Sequence, residues 1–332
     1  MMPEQTCALQ VKYEQKPSAS ILADGGDVLA VFEFGTSPLA SVDPRHVPVA
    51  LPQLDEPPLV EVWRARGPIE SGRLKHISFA RGLELSMGHI ALDLREFRDI
   101  QEASNVAYAE LQDFLGRSPH HWPLKIWNYI PGINIGHGDQ ECYREFCVGR
   151  ARALAAGYGD QPPMPAATAI GVDAGEPALQ VYFLAGALPG LNVENPRQVN
   201  AWQYPRQYSP KSPLFSRGTI MQLRESRQFL ISGTASVVGH ETHHDNPKDQ
   251  IIESIRNVNS LLAEGQRLLG GEKPCLGDGG VLRVYIRNNA DFPTVKETIQ
   301  EVVPTDMPRI YLKGDVCRSD LLTEVDGIVT YR

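Results

Sequence analysis

Apolar and polar residues alternate with a period of two along much of this chain, and the alternation is broken by stretches with a helical period. Strand-like runs come first at Asp27–Phe34 and Val47–Leu51, inside a turn-rich opening of residues 1–58 that closes on the linker-like Asp55-Glu56-Pro57-Pro58. Strands are predicted at Leu59–Arg64, Leu74–Ala80 and Leu83–Leu92. A helix is predicted over Ile100–Leu115, where Ile100, Ala103, Ala107 and Leu111 share a face and Gly116 suits the end. Leu124–Ile130 reads as an apolar strand. The plan then repeats. Strands at Val181–Leu184, Thr219–Leu223 and Phe229–Val238 precede a helix over Lys248–Leu269, started by Asn246-Pro247 and stopped by Gly270-Gly271. Val281–Arg287 is the next strand, and Thr294–Val302 a short helix. Strand-strand-helix-strand thus occurs twice, offset by about 150 residues.

The closing stretch reads as a hairpin. One strand runs from Arg309 to about Val316 and the other over Leu321–Val329, with the turn at Ser319-Asp320 and Gly314 as a bulge. Arg309 and Glu324 are charged residues in otherwise apolar strands, and a buried charge needs a partner, a ligand or solvent. Two readings stand. Either they pair with each other across the ladder, or with Cys317 they converge on a pocket suited to general acid/base chemistry.

Composition narrows the classes. A net charge of −8 argues against a nucleic-acid or anionic-membrane partner, so an anionic substrate needs a local cluster of arginines. Five cysteines without a compact framework point to a reducing compartment. The N-terminus lacks a signal-peptide pattern, and no run approaches the roughly 18 apolar residues that span a bilayer. A soluble, cytoplasmic protein is expected.

Several segments carry candidate chemistry. His240-Glu241-Thr242-His243-His244 fits HExxH, but that motif ligates zinc from a helix, and here it follows a strand end and precedes Asn246-Pro247. A loop without metal is expected. Tyr143 and Arg150 are seven residues apart, which on a helix puts them on one side, two turns apart. They are either a packing residue with an exposed arginine or a phenol and guanidinium aimed at a carboxylate, which the planar guanidinium can bind at two points. Tyr204, Arg206, Tyr208 and Arg217 lie in a loop stiffened by Pro205, Pro210 and Pro213.

The run Leu321-Leu322-Thr323-Glu324-Val325-Asp326-Gly327 after an arginine-bearing strand resembles the end of the reactive-intermediate deaminase (RidA/YjgF) fold. Phe229-Leu230-Ile231-Ser232-Gly233-Thr234-Ala235-Ser236 resembles its strand ending in Ser-Gly. The block from Tyr204 to Arg217 and the segment from Tyr143 to Arg150 narrow the likeness to the chorismatases, the 3-hydroxybenzoate synthase group of that superfamily. The likeness covers roughly the last two-thirds of the chain well and the first third weakly. A Gly-His-Glu-Thr segment after the Ser-Gly-Thr-Ala strand also belongs to that family.

The resemblance implies an α+β protein of two RidA-like halves, 1–155 and 156–332. Each would be a mixed sheet backed by helices, with a pocket between the halves. In the resembled fold subunits associate as trimers with sites between neighbours, so two units in one chain would mimic that interface within a monomer. It implies chorismate as substrate and no cofactor. Arg150, Arg217 and Arg309, with Tyr143 and Tyr204, would hold its two carboxylates and hydroxyls, and Arg206 is a weaker candidate. Gly233 would permit a close backbone approach and Thr234 would supply a hydroxyl. Glu324 would transfer the proton and Cys317 steer the product. Three outcomes stay open: 3-hydroxybenzoate and pyruvate, a mixture with 4-hydroxybenzoate, or hydrolysis to a 3,4-dihydroxycyclohexadiene carboxylate. An imine or enamine deaminase and a non-catalytic carboxylate-binding module are the rival readings, with a zinc hydrolase behind them.

Overall fold

The computed structural model describes residues 9–159, 164–271, 274–277 and 279–331. Its frame is two sheets backed by helices, with a third sheet closing the remaining side. The first, seven-stranded sheet runs in the order Asp315–Val316, Ala166–Val172, Trp122–Pro131, Ala178–Gly186, Leu85–Asp93, Ile77–Arg81, Glu70–Leu74. The second, six-stranded sheet runs Leu191–Val193, Gly218–Gln222, Arg227–Ala235, Thr323–Thr330, Val281–Ile286, Arg309–Lys313. Leu9–Glu14, Val60–Ala65, Val28–Phe34 and His46–Val49 make the four-stranded third sheet.

Each large sheet turns one face to its own helices. Ile100–Arg117 and Cys142–Tyr158 cover the first through Ala107, Leu111, Phe114 and Phe146. The former helix starts on Asp99, whose carboxylate accepts from the Glu102 amide at 2.7 Å. The two helices cross closely at Gly149, where a Cβ would lie 2.1 Å from the Gln101 carbonyl oxygen. Pro247–Leu269 and Phe292–Val302 cover the second sheet through Ile251, Val258, Leu261, Val295 and Ile299. Asn246 caps the longer helix, accepting from the Asp249 amide at 2.9 Å, and Gly270 ends it with φ +68°.

The opposite faces of all three sheets share one core, where Phe32, Trp63, Trp127, Tyr182, Leu230, Ile310 and Leu312 meet. Glu61 of the third sheet and Arg283 of the second form a buried ion pair in it, at 2.6 and 2.8 Å.

The α+β architecture and the two sheet-and-helix units agree with expectation, and so do the helices Ile100–Arg117, Pro247–Leu269 and Phe292–Val302. Other readings change. The turn-rich opening supplies three of the four strands of the third sheet, the expected Val28–Phe34 and His46–Val49 and the unexpected Leu9–Glu14. Leu74–Ala80 splits into a hairpin, Glu70–Leu74 and Ile77–Arg81, which turns at Lys75 with φ +52°. Ala166–Val172 and Ala178–Gly186 belong to the first sheet, so the changeover between units comes after residue 186 and not at 155/156.

The closing stretch is not a hairpin. Arg309–Lys313 pairs in parallel with Val281–Ile286, which separates it from Thr323–Thr330. At Gly314 the chain crosses to the first sheet, where Asp315–Val316 pairs with Ala166–Val172. A Cβ on Gly314 would come within 2.5 Å of Ile170, so the crossing needs glycine.

Candidate active site

A cavity of about 320 Å³ lies between the first and second units. Asn128, Tyr143, Arg150 and Thr168 line it from the first unit. Tyr204, Tyr208, Phe215, Arg217, Gly233 and Glu324 line it from the second, and Cys317 and Arg318 from the crossing segment. Chain crossing is what completes the site: Gly314 carries the segment with Cys317 from one unit to the other.

Arg150 sits on the helix Cys142–Tyr158, one face of which must pack against the sheet. It is 2% exposed, with its guanidinium 5.3 Å from the Phe146 ring centre and its Nε without a partner. Tyr143, two turns earlier, stacks on Phe146 at 6.3 Å. Arg217 is 5% exposed. It donates to the Tyr204 hydroxyl at 2.7 Å and the Val199 carbonyl at 2.8 Å, leaving its Nε buried and unpartnered. Phe215 lies under it, at 5.3 Å. Neither guanidinium has a carboxylate within ion-pair distance among the described residues, whereas the similarly buried Arg283 is paired with Glu61 at 2.6 Å. Two desolvated cations thus open on one hollow in a protein of net charge −8.

Glu324 is 4% exposed. Burial, reinforced by Asp326 and opposed by Arg217 and Lys125, pushes its carboxyl up to about 8. It therefore carries a proton at neutral pH. Opposite it, the strand Arg227–Ala235 shifts register between Ile231 and Thr234. Gly233 occupies that irregularity, and a Cβ there would lie 2.1 Å from Glu324 Oε1. Glycine at this position gives the carboxyl its room. The Cys317 thiol is pushed up to about 12, by burial first and by Glu324 next, so it stays uncharged.

Seven of the nine proposed site residues line the cavity, namely Tyr143, Arg150, Tyr204, Arg217, Gly233, Cys317 and Glu324. Thr234 does not: its hydroxyl donates to the Ser232 carbonyl at 2.8 Å. Arg309 does not either, and it does not pair with Glu324. From the sheet edge it caps the helix Phe292–Val302 and the following turn, donating to the carbonyls of Pro304 at 2.6 Å, Met307 at 3.0 Å and Ile299 at 3.4 Å. Arg206 is exposed and grips Asp139 at 2.9 and 2.7 Å.

His240 to His244 is a loop bearing the short strand Glu241–Thr242, paired with Val237–Val238. His244 has φ +69°, so the two outer histidines do not share a helix face.

The residue reading missed Asn128, Thr168 and Arg318. Arg318 lies 3.9 Å over the Tyr208 ring and donates to the His240 carbonyl at 2.8 Å, fastening the crossing segment to the opposite loop. Its position beside Cys317 was the available signal. Nothing local marks Asn128 or Thr168, which reach the site only through sheet pairing.

Comparison with known proteins agrees with this geometry. Residues 61–185 match the family model described as "Chorismatase FkbO/Hyg5-like, N-terminal". A chorismatase of Streptomyces rapamycinicus is 34% identical over 326 residues, covering 95% of this chain and 96% of its own. A 3-hydroxybenzoate synthase of Streptomyces hygroscopicus is 34% identical over 283 residues, 82% of each chain. A solved chorismatase crystal structure superposes with a TM-score of 0.86 at 31% identity, over 97% of this chain and 98% of that one. With such relatives matched over nearly its whole length, this chain belongs to the chorismatase family.

Proposed function

We propose that this protein converts chorismate to 3-hydroxybenzoate and pyruvate without a cofactor. The observation that carries the reading is the pair of buried guanidinia, Arg150 and Arg217, both lacking a carboxylate partner and both opening on the cavity that holds protonated Glu324. A dianion with well-separated carboxylates satisfies both cations, and each planar guanidinium can take a carboxylate at two points. Tyr143 and Tyr204 supply phenols beside them.

Glu324 gives its proton to the methylene carbon of the enolpyruvyl side chain. The bond from the ring to the ether oxygen then breaks and pyruvate leaves. As it leaves, the neighbouring hydroxyl oxygen on C4 closes onto C3 and its proton recharges Glu324. The C4–O bond of this three-membered ring then opens, and the C3 hydrogen passes as a proton to the oxygen, so the aromatic ring carries its hydroxyl at C3. Pyruvate and 3-hydroxybenzoate together contain the atoms of chorismate, so this route consumes no water. The diene-diol product would require one. The uncharged Cys317 thiol supports the dry route, because it fills a part of the wall that water would otherwise occupy.

Incubation of the purified protein with chorismate, followed by chromatography, tests this. Pyruvate and 3-hydroxybenzoate should form in equal amounts. A dominant dihydroxycyclohexadiene carboxylate would make the protein a hydrolase, and chorismate recovered intact would leave only a binding role.

A further inference from the structure

We propose that Asp326, braced against Lys125, is a positioning residue that keeps the Glu324 carboxyl in its proton-bearing form. The proposal rests on the reading above and deepens it. Glu324 and Asp326 are two residues apart on the strand Thr323–Thr330, so both project from the same face of the second sheet. Asp326 is 1% exposed and is not among the residues lining the cavity.

One of its oxygens, Oδ2, accepts from Thr168 Oγ1 at 2.6 Å, Trp127 Nε1 at 3.0 Å and the Tyr285 hydroxyl at 3.3 Å. The Lys125 ammonium stands 3.3 Å from the same oxygen. An indole N–H and an ammonium can only donate, so the oxygen they surround bears no proton, and the ammonium beside it suits a carboxylate. Lys125 is itself committed elsewhere, donating to the Ile231 carbonyl at 2.6 Å. The anion is therefore fixed in place by both sheets, two residues from the carboxyl that must hold a proton.

The other groups around Glu324 act differently. Arg217, at the head of the strand Gly218–Gln222, and Lys125, on the strand Trp122–Pro131, both favour the ionised form. Cys317, on the crossing segment, is an uncharged thiol. Tyr285 pairs with Glu324 in register and is itself a neutral phenol, its ionisation disfavoured by burial and then by Asp326. Apart from burial, Asp326 is the group that holds the proton on Glu324. The contacts join this anion to the cavity wall. Thr168 lines the cavity, and its carbonyl accepts from Asn128 at 3.1 Å, while Asn128 accepts from the Tyr108 hydroxyl at 2.8 Å.

The test is the pH dependence of kcat/KM with chorismate. The active form bears the proton, so activity is present below the Glu324 value of about 8 and lost as pH rises through it. Removing a neighbouring anion lowers the carboxyl's hold on its proton. Asp326→Asn should therefore move the alkaline limb down by about one pH unit. The double variant Asp326→Asn with Lys125→Met leaves no buried charge alone, which protects the fold. It should move the limb the same way by less. Asp326→Glu should restore the wild-type position. The Glu324 carboxyl band, assigned by infrared difference against Glu324→Gln, reports the same shift without turnover. A folded Asp326→Asn protein and double variant whose limb and band stay in the wild-type position, with the rate lowered evenly at every pH, would overturn the proposal. Absence of turnover in the wild type would instead overturn the functional reading, and the infrared band would still decide the role of Asp326.

Discussion

Glu324 holds its proton because the second sheet and the cavity walls deny its anion the solvation it would have in water. Cys317, on the crossing segment, has the proposed role of keeping water from the reacting ring with an uncharged sulfur. Cys317→Ala should shift the products from 3-hydroxybenzoate towards the dihydroxycyclohexadiene acid, read by chromatography; an unchanged ratio would remove that role. Arg309→Ala should leave kcat/KM at the wild-type value and lower stability by about 1 kcal/mol through lost hydrogen bonds to helix-end carbonyls. Loss of activity in a folded Arg309→Ala protein would return it to the site. These residues show what a sequence can and cannot disclose. The cost of burying a charge picks out Glu324, and a spacing of seven on a helix picks out Tyr143 with Arg150. The same argument picks out Arg309 with equal force, because helix-end carbonyls satisfy a guanidinium as well as a substrate carboxylate does.

At the scale of elements, periodicity locates the helices Ile100–Arg117 and Pro247–Leu269 to within two residues, since their buried faces and their caps are local facts. Cys142–Tyr158, by contrast, is considered as a helix only for the spacing of Tyr143 and Arg150. Strand partners are not local. The strands Arg309–Lys313 and Thr323–Thr330 alternate as a hairpin would, yet Val281–Ile286 lies between them and the connection leaves for another sheet. In the opening stretch the runs Asp27–Phe34 and Val47–Leu51 read as strands and correspond to Val28–Phe34 and His46–Val49, whereas Leu9–Glu14 goes unread because its partner, Val60–Ala65, lies about fifty residues on. The helix Cys142–Tyr158 carries both Tyr143 and Arg150, so its seating should control the site. Gly149→Val would press a side chain onto the Gln101 carbonyl and part the two helices. It should cost about 1–3 kcal/mol in thermal unfolding and raise KM for chorismate. A stable variant with unchanged KM would show that the helix seat does not govern binding.

Across the whole molecule, three sheets share one core and the cavity opens where two of them meet. Charge inside is tolerated only where it is matched. Glu61 with Arg283 and Asp326 with Lys125 are matched by the protein, while Arg150 and Arg217, with no carboxylate within ion-pair distance among the described residues, are the cations proposed to be matched by the substrate. Arg283→Met would strand Glu61 in the core and should destabilise by about 3–5 kcal/mol in denaturant titration, with Glu61→Met added in the same chain recovering much of the loss. A double variant no more stable than the single one would contradict the view that this pair is there to balance charge. The matched pairs join residues more than two hundred positions apart, which is why no reading of neighbouring residues finds them.

The account turns on Glu324 acting as proton donor to a dianion held by Arg150 and Arg217. The direct measurement is pyruvate released from chorismate by the folded wild type and by Glu324→Gln, side by side. The wild type should release one pyruvate per chorismate, and the variant should be slower by about 10²–10⁴-fold with its fold intact. A folded wild type that releases no pyruvate, or a Glu324→Gln protein that releases it at the wild-type rate, would contradict the account.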